Sequence, residues 1–352
     1  MKPPFALVKP TGSAVPLVLD SPHSGRDYPD DFGAAVATDL LRQSEDSFVD
    51  ELYAAGPVLG ATLIAANFPR SYIDPNRSLF DIDASLLDSP WPGPAIPSRK
   101  TELGIGLIWR ALDSGEQIYR RKLTVDEVKN RIVRYHQPYQ RAVKNALDAA
   151  HDHFGAVWHI NCHSMPALSG RISEEGPGKP RADFVLGDRD GSTCEPQFTA
   201  LVAKTLRDMG YQVKINDPYK GVELVRAFSD PAAQRHSLQI EVNRKLYMDE
   251  RTRRKVAGFD KLRGDIERML AVVARYASER GSHACAAGHA HDHHGHDHDH
   301  HHHRDHRHDD SHGHDHSPGS SHNHGHDHEP GPGHSHDHDH DHDHDADPDH
   351  RH

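Results

Sequence analysis

Short apolar runs closed by turn residues alternate along this chain with stretches whose apolar positions recur at helical spacing. Pro16-Leu17-Val18-Leu19 is an unbroken apolar run, and Asp20-Ser21-Pro22 closes it. It reads as a buried strand that delivers His23 at its C-terminal end. Ala156 to Ile160 has the same build, with Asn161-Cys162-His163-Ser164-Met165-Pro166 reading as the turn that follows. Further strands are expected at Ala61 to Ala66, Phe184 to Asp188, Gln212 to Ile215 and Ser237 to Val242. Asp39 to Ala55 reads as one amphipathic helix, because Leu40, Leu41, Phe48, Leu52 and Tyr53 share a face; Asp46 and Asp50, four apart, share another. Thr124-Val125-Asp126-Glu127 is a capping box that opens a long helix toward Ala150, bent near Pro138. Pro196 to Met209 and Glu250 to Glu279 read as the remaining helices, and the Pro- and Gly-bearing stretches 88–100 and 169–181 as loops. Strands alternating with helices predict an α/β fold: a single domain with a mostly parallel or mixed sheet flanked by helices.

The pattern stops near Gly281. Residues 282–352 are almost entirely His, Asp, Gly, Ser and Pro and hold 28 of the 35 histidines. They carry 16 acidic residues against three arginines, so the formal net charge of −12 resides there and the remainder is within one charge of neutral. Residues 1–281 are therefore expected to fold, and residues 282–352 to form a disordered tail that binds several divalent ions. A purely solvated low-complexity segment is the plainer alternative. The neutral body has no basic excess for a nucleic-acid partner. Three scattered cysteines, Cys162, Cys194 and Cys285, argue against a disulfide framework and for a reducing compartment. Met1 to Leu19 lacks a basic segment followed by an apolar run, and no stretch approaches the ~20 apolar residues of a membrane span. The expected location is the cytoplasm, with no membrane partner.

Two histidines at equivalent strand ends suggest a shared metal. Zinc takes imidazole nitrogen and carboxylate oxygen, and a catalytic zinc keeps one position open. His23 and His163 are the candidate ligands, with Asp46 as the third and Asp50 and Glu45 as alternatives. A metal hydrolase also needs a base. Glu241 lies in the otherwise apolar run Gln239-Ile240-Glu241-Val242, where burial raises a carboxyl pKa toward the working range. The alternative is a structural pair with Arg244. Arg70, Asn76 and Arg77 share one polar loop, and arginine's planar fork suits a substrate carboxylate. Cys162 and His163 are adjacent on extended chain and point opposite ways, so they do not make a nucleophile pair.

These residues belong to a larger ordered set: Ser-Pro-His-Ser-Gly at 21–25, Asp46 with Val49-Asp50, Asn67-x-x-Arg70-x-x-x-Asp74-x-Asn76-Arg77, Tyr135-His136-x-Pro138-Tyr139, Asn161-x-His163-Ser164-Met165, Tyr219-Lys220-Gly221, and Glu241-x-Asn243-Arg244-x-Leu246-Tyr247-Met248. The set resembles the N-formylglutamate amidohydrolase family over roughly residues 10 to 275. That family is similar to the zinc carboxypeptidase and aspartoacylase group. The resemblance implies a zinc-exopeptidase-like fold and one catalytic Zn²⁺ held by two histidines and a carboxylate. It implies a general base at Glu241, oxyanion support from Arg70, and substrate contacts from Asn76, Arg77, Tyr139, Lys220 and Arg244. The implied reaction is metal-dependent hydrolysis of N-formyl-L-glutamate, or a similar N-acyl acidic amino acid, to formate and L-glutamate, a step of histidine breakdown. Another N-acyl amino acid amidohydrolase and a metal-buffering protein are the alternatives. The group's usual carboxylate ligand follows the first histidine by three residues, and Arg26 stands there instead. Gln140 and Val222 also depart from the family pattern, at positions where His and Gly are expected.

Overall fold

The computed structural model describes residues 3–173 and 175–289. Seven strands form one sheet: β1 (Phe5–Val8), β2 (Leu17–Ser21), β3 (Thr62–Ala66), β4 (Val157–Met165), β5 (Phe184–Gly187), β6 (Val213–Ile215) and β7 (Arg235–Asn243). Their order is β1-β3-β2-β4-β7-β5-β6. The centre, β3-β2-β4-β7, is parallel, β1 runs antiparallel to β3, and β5 runs antiparallel to β7. The sheet is therefore mixed, as the alternation of strands and helices allows. The edge strand β1 is not among the expected strands; its apolar run, Phe-Ala-Leu-Val, is only four residues long and is largely exposed.

Eight helices accompany it among the described residues: α1 (Thr38–Leu41), α2 (Val49–Leu52), α3 (Arg99–Glu102), α4 (Val125–Arg131), α5 (Gln137–Phe154), α6 (Pro196–Asp208), α7 (Glu223–Ala227) and α8 (Gly258–His289). One sheet face packs on α2, α6 and α8. Leu262, Ile266, Met269, Leu270 and Val273 of α8 meet Leu17, Trp158, Ile160, Cys162 and Ile240 there. The other face packs on α4 and α5 through Val128, Tyr139, Val143 and Leu147. These spacings are those of helices with one apolar stripe.

Three expectations change. The helix expected over Asp39 to Ala55 is broken: α1 passes through a 3-10 turn, Arg42–Ser44, and the chain is non-helical until α2 starts. Phe48, at the start of α2, takes a left-handed φ of 66°. The strand expected to stop at Ile160 runs on to Met165, so His163 sits inside β4. The final helix starts at Gly258, after a small β-ladder of Met248–Asp249 and Arg254–Lys255, and runs through Gly281 to His289. Gly281 is a close approach to Pro16 and Phe154, where a side chain would crowd both, and not a helix stop. The tail's expected metal binding falls on residues that otherwise lie outside the described ones.

The capping box at Thr124 and Glu127 is formed, with both side chain-to-backbone bonds present. The expected bend before Pro138 is a π-helical turn, Ile132–His136. Pro138 has no N–H and crowds the carbonyl four residues back, and a wider turn accommodates both. That turn sets buried His136 so that Nε2 meets the carbonyl of Arg77 at 2.9 Å. Arg131, also buried, donates to the carbonyls of Tyr72 and Phe32 and lies 4.1 Å from the Tyr72 ring centroid. Both contacts anchor the polar loop 70–77 to the helical layer.

The turn that carries His23 docks on the end of β3 through Asp27 N–H to the carbonyl of Asn67, at 2.8 Å. A Cβ at Gly25 would lie 2.2 Å from the carbonyl oxygen of Phe68. Gly25→Ala should therefore lower stability by about 1–3 kcal/mol. Denaturant midpoints of the two proteins check this, and an unchanged midpoint would show that the turn is not tightly docked.

Candidate metal centre and cleft

The parallel strands β2, β4 and β7 open at their C-terminal ends onto one cleft, the place where open α/β sheets take ligands. His23 leaves the end of β2, and its carbonyl accepts the Asp46 N–H at 3.0 Å. The break between α1 and α2 thus pins Asp46 backbone to the His23 turn. His163 arrives from within β4. The structure brings together His23 Nδ1, His163 Nδ1 and Asp46 Oδ2. The two nitrogens are 3.0 Å apart, and Asp46 Oδ2 is 3.1 Å from His163 and 3.4 Å from His23. All three residues are buried.

The outer nitrogens fix the tautomers. His23 Nε2 lies 2.7 Å from Asp74 Oδ1, an acceptor-only carboxylate, so Nε2–H donates. His163 Nε2 lies 2.6 Å from Asn161 Oδ1. Asn161 faces that way because its Nδ2 donates to Asp20 Oδ1 at 2.7 Å. With both Nε2 atoms protonated, both Nδ1 atoms present bare lone pairs to each other and to a carboxylate oxygen. Such a trio is mutually repulsive without a positive charge among them. Ligand atoms ~2.0–2.1 Å from a tetrahedral zinc lie about 3.3 Å apart, close to the observed edges. The donor set fits a metal ion, and a carboxylate or amide behind each imidazole is the usual support for one.

Asp74 is the first of those supports. It also accepts Arg70 Nε and Nη2 at 3.3 and 3.0 Å, Trp109 Nε1 at 3.3 Å and the Asn76 N–H at 2.9 Å. Burial works against its charge, but Arg77, the His23 imidazole that donates to it and Arg70 hold its carboxyl well below the usual range. Arg244 Nη2 donates to the outer oxygen of Asp46 at 3.0 Å, and Arg70 Nη1 stands 3.8 Å from that oxygen.

Glu241 stands in register with His163 on the neighbouring strand. Its bonded neighbour is Gln239, whose Nε2 donates to Glu241 Oε1 at 2.8 Å. Arg244 instead serves Asp46, Ser164 Oγ and the Gln43 carbonyl. Burial lifts the Glu241 carboxyl; His163 opposes this, Asp46 adds to it, and Arg70 and Arg181 oppose it further. The cleft, about 920 Å³, is lined by Arg70, Asn76, Arg77, Lys220, Glu241 and Arg244 among others. Arg77 is held by the carbonyls of Ile105 and Asn76, each at 3.0 Å. Asn76 Oδ1 accepts the Leu224 N–H at 2.9 Å, which turns its NH₂ group toward His163 and the cleft. Lys220 is at the rim, paired with Asp190.

Other expected residues lie elsewhere. Tyr139 is buried and does not line the cleft; its hydroxyl donates to Asp20 Oδ2 at 2.7 Å and ties α5 to β2. Its helix packs its ring into the core, which is why it does not reach a substrate. Glu45 is taken up by Tyr28, Arg42 and Ser47, and Asp50 lies beyond the break. Arg26 is largely exposed near Glu51. Cys162 faces the opposite side of the sheet, where burial pushes its thiol far up. The sequence reading gave no role to Asp74, Asn161, Asp20, His159 or Gln239. For His159 and Asn161 the signal was the alternation His159, Asn161, His163, which places three polar side chains on one face of a strand.

A buried His/Asp/His centre with a carboxylic acid beside it, at the mouth of parallel strands, is the layout of a hydrolase that activates water. Residues 15–248 match the model of the N-formylglutamate amidohydrolase family, and the chain belongs to that family. It is an amide-bond hydrolase. The crystal structure of an N-formylglutamate amidohydrolase from Ralstonia eutropha JMP134 is 53% identical, spans 79% of this chain and 99% of its own, and superposes with a TM-score of 0.75. The N-formylglutamate deformylase of Pseudomonas putida is 28% identical over 244 residues, 67% of this chain and 83% of its own length. That of Pseudomonas aeruginosa is 26% identical over 245 residues, covering the same shares. A gene product of Agrobacterium tumefaciens, 16% identical over 82% of this chain and 97% of its own, shares the fold with a TM-score of 0.52. Among the described residues no helix is long and apolar enough to cross a membrane.

His23→Ala and His163→Ala should each lose the tightly bound metal of the folded body. Metal analysis on protein truncated after His289, so that the histidine-rich segment adds nothing, reads this directly. Full metal content in both variants would show that the trio is not a metal centre.

Proposed function

We propose that the protein hydrolyses N-formyl-L-glutamate to formate and L-glutamate, with one zinc ion held by His23 Nδ1, Asp46 Oδ2 and His163 Nδ1. The observation that carries this reading is the buried Glu241 carboxyl one strand across from His163, on the wall of a cleft with ten basic and seven acidic side chains. When bound, zinc supplies Lewis acidity to the formyl carbonyl and to the attacking water. Glu241 takes the water's proton as the oxygen attacks the formyl carbon. It then hands that proton to the amide nitrogen as the C–N bond breaks, so formate and the amine leave with all atoms accounted for. Arg70, braced by Asp74 and lying 5.0 Å from the Trp109 ring centroid, faces the charge that develops on the carbonyl oxygen. Asn76 and Arg77 hold a substrate carboxylate; the two backbone bonds to Arg77 keep its guanidinium fixed before substrate arrives. Arg244 keeps Asp46 oriented, and Lys220 at the rim adds to the attraction for a dianion.

The cleft volume of about 920 Å³ is also large enough for bulkier acyl groups, so N-acetyl- and N-succinyl-glutamate belong in the test. Formate or acid release from that panel should be highest for the formyl compound. It should vanish after chelation and return with zinc. Undiminished turnover in chelated, metal-free protein would overturn the zinc reading, and faster release from another acyl compound would reassign the substrate. Glu241→Gln should keep its metal and lose ~10²–10⁴ in kcat. Near-normal turnover would return Glu241 to a purely structural role.

The histidine- and aspartate-rich segment supports a second, separate role as a divalent-metal reserve for the same centre. Removing residues 290–352 should leave kcat unchanged in zinc-replete buffer and slow the recovery of activity when zinc is limiting. Loss of kcat with zinc in excess would show instead that the segment is needed by the folded body.

A further inference from the structure

Gln239 carries a feature that the hydrolytic scheme leaves unused. It is 1% exposed, it lines the cleft, and its Oε1 is a buried acceptor without a hydrogen-bond partner among the described residues. Its orientation is not arbitrary. Glu241 must be a carboxylate to act as a base, and a carboxylate only accepts, so the group facing Glu241 Oε1 at 2.8 Å has to be the Gln239 NH₂. The carbonyl oxygen is thereby turned away from Glu241 and left without a donor. A buried acceptor left unpaired costs as much as a lost hydrogen bond, and such groups in folded proteins call for a partner.

Covalent geometry says where that partner lies. The oxygen and nitrogen of one carboxamide are about 2.2 Å apart. Gln239 Oε1 is therefore within about 5 Å of the Glu241 oxygen to which Gln239 donates. The nitrogen that receives a proton from Glu241 comes within about 3 Å of that carboxyl. The leaving nitrogen and Gln239 Oε1 thus face the same Glu241 carboxyl in one cleft and lie at most about 8 Å apart. Cross-strand register agrees: Gln239 is opposite Asn161, and Glu241 is opposite His163, two steps along the same sheet face.

We infer that Gln239 Oε1 accepts the N–H of the scissile amide, so that Gln239 selects secondary amides while its NH₂ group holds Glu241. This rests on the hydrolytic reading above and adds a specificity element to it. A scissile N–H satisfies the orphan acceptor. An ester oxygen or an N-alkylated nitrogen leaves it unpaired, and sites built to bond an N–H discriminate strongly against analogues that lack it.

The test compares N-formyl-L-glutamate with N-formyl-N-methyl-L-glutamate on the zinc-loaded full chain and its Gln239→Met variant. Met keeps the length and removes both polar atoms. Loss of Glu241 orientation alone would lower both amides alike, because both leaving nitrogens need its proton. The inference expects kcat/KM for the N–H compound to fall about tenfold to a hundredfold further than for the N-methyl compound. Equal losses, or no loss for either, overturn it. A second arm needs no variant: the wild-type protein should turn over N-formyl-N-methyl-L-glutamate at least tenfold more slowly than the N–H compound, and equal turnover overturns the inference even if Gln239→Met fails to fold. Absence of formate release from N-formyl-L-glutamate by the wild-type protein would instead count against the hydrolytic reading itself.

Discussion

The Asp74 carboxylate is the constraint on which the site depends. One buried side chain accepts from an imidazole, a guanidinium, an indole and a backbone amide. Each donor belongs to a different part of the site. The imidazole is His23, presented by the turn after β2; the guanidinium is Arg70; the amide fixes Asn76. Taking a carboxylate out of water costs several kcal/mol, and only a full set of charged and hydrogen-bonding partners offsets that. Loop 67–77 therefore has one arrangement in which Asp74 is tolerated, and that arrangement delivers Arg70, Asn76 and Arg77 to the cleft together. Arg131 and His136 hold the same loop from behind through the carbonyls of Tyr72 and Arg77.

A second polar layer lies under the first. On the α5-facing side of the central strands, Asp20 accepts from His159 Nε2, Asn161 Nδ2 and Tyr139, and His159 Nδ1 meets Ser237 Oγ at 2.7 Å. The opposite face of the same strands is Leu, Ile, Trp, Val and Cys packed on α6 and α8. One sheet thus spends one face on cohesion and most of the other on fixing hydrogen-bond direction. The second use is costly in stability, because each buried polar atom needs its own partner. What it provides is a defined tautomer at His163, reached through Asn161 and Asp20.

The legible and illegible parts of the sequence follow from this division. The apolar runs of β2, β3 and β7, the capping box at Thr124 and the stripe of α8 report the cohesive face, and periodicity finds them. Ordered motifs pointed to His23, Asp46, His163 and Glu241, and the structure gathers these four at one strand mouth. The polar face is where pattern reading misplaced boundaries. Asn161-Cys162-His163-Ser164 looks like a turn because polar residues normally end a strand, yet β4 continues through it, since Asp20 and Arg244 supply partners for Asn161 and Ser164 from outside. The stretch 39–55 has helical spacing, but Asp46 is drawn onto the His23 turn and the helix breaks around it. Asp74 offered no periodic signal at all: its importance is the number of donors it meets, which one-dimensional spacing does not contain. Tyr139 went the other way, an apparent substrate residue that turns out to brace Asp20 in the core.

The separation of the ligands along the chain has a consequence for biosynthesis. His23 and His163 are 140 positions apart, and the support for Glu241 comes still later, on β7. β2 and β4 meet as parallel neighbours, a pairing that local chain closure cannot produce. A nascent polypeptide therefore exposes His23 and Asp46 long before their third companion has been translated, and no N-terminal fragment ending before residue 163 holds a complete centre. An ion held by this trio would therefore be taken up only after β4 has been made and has paired with β2. Such an ion would act as a late lock on the middle of the sheet, stabilising the native state by mass action as its free concentration rises.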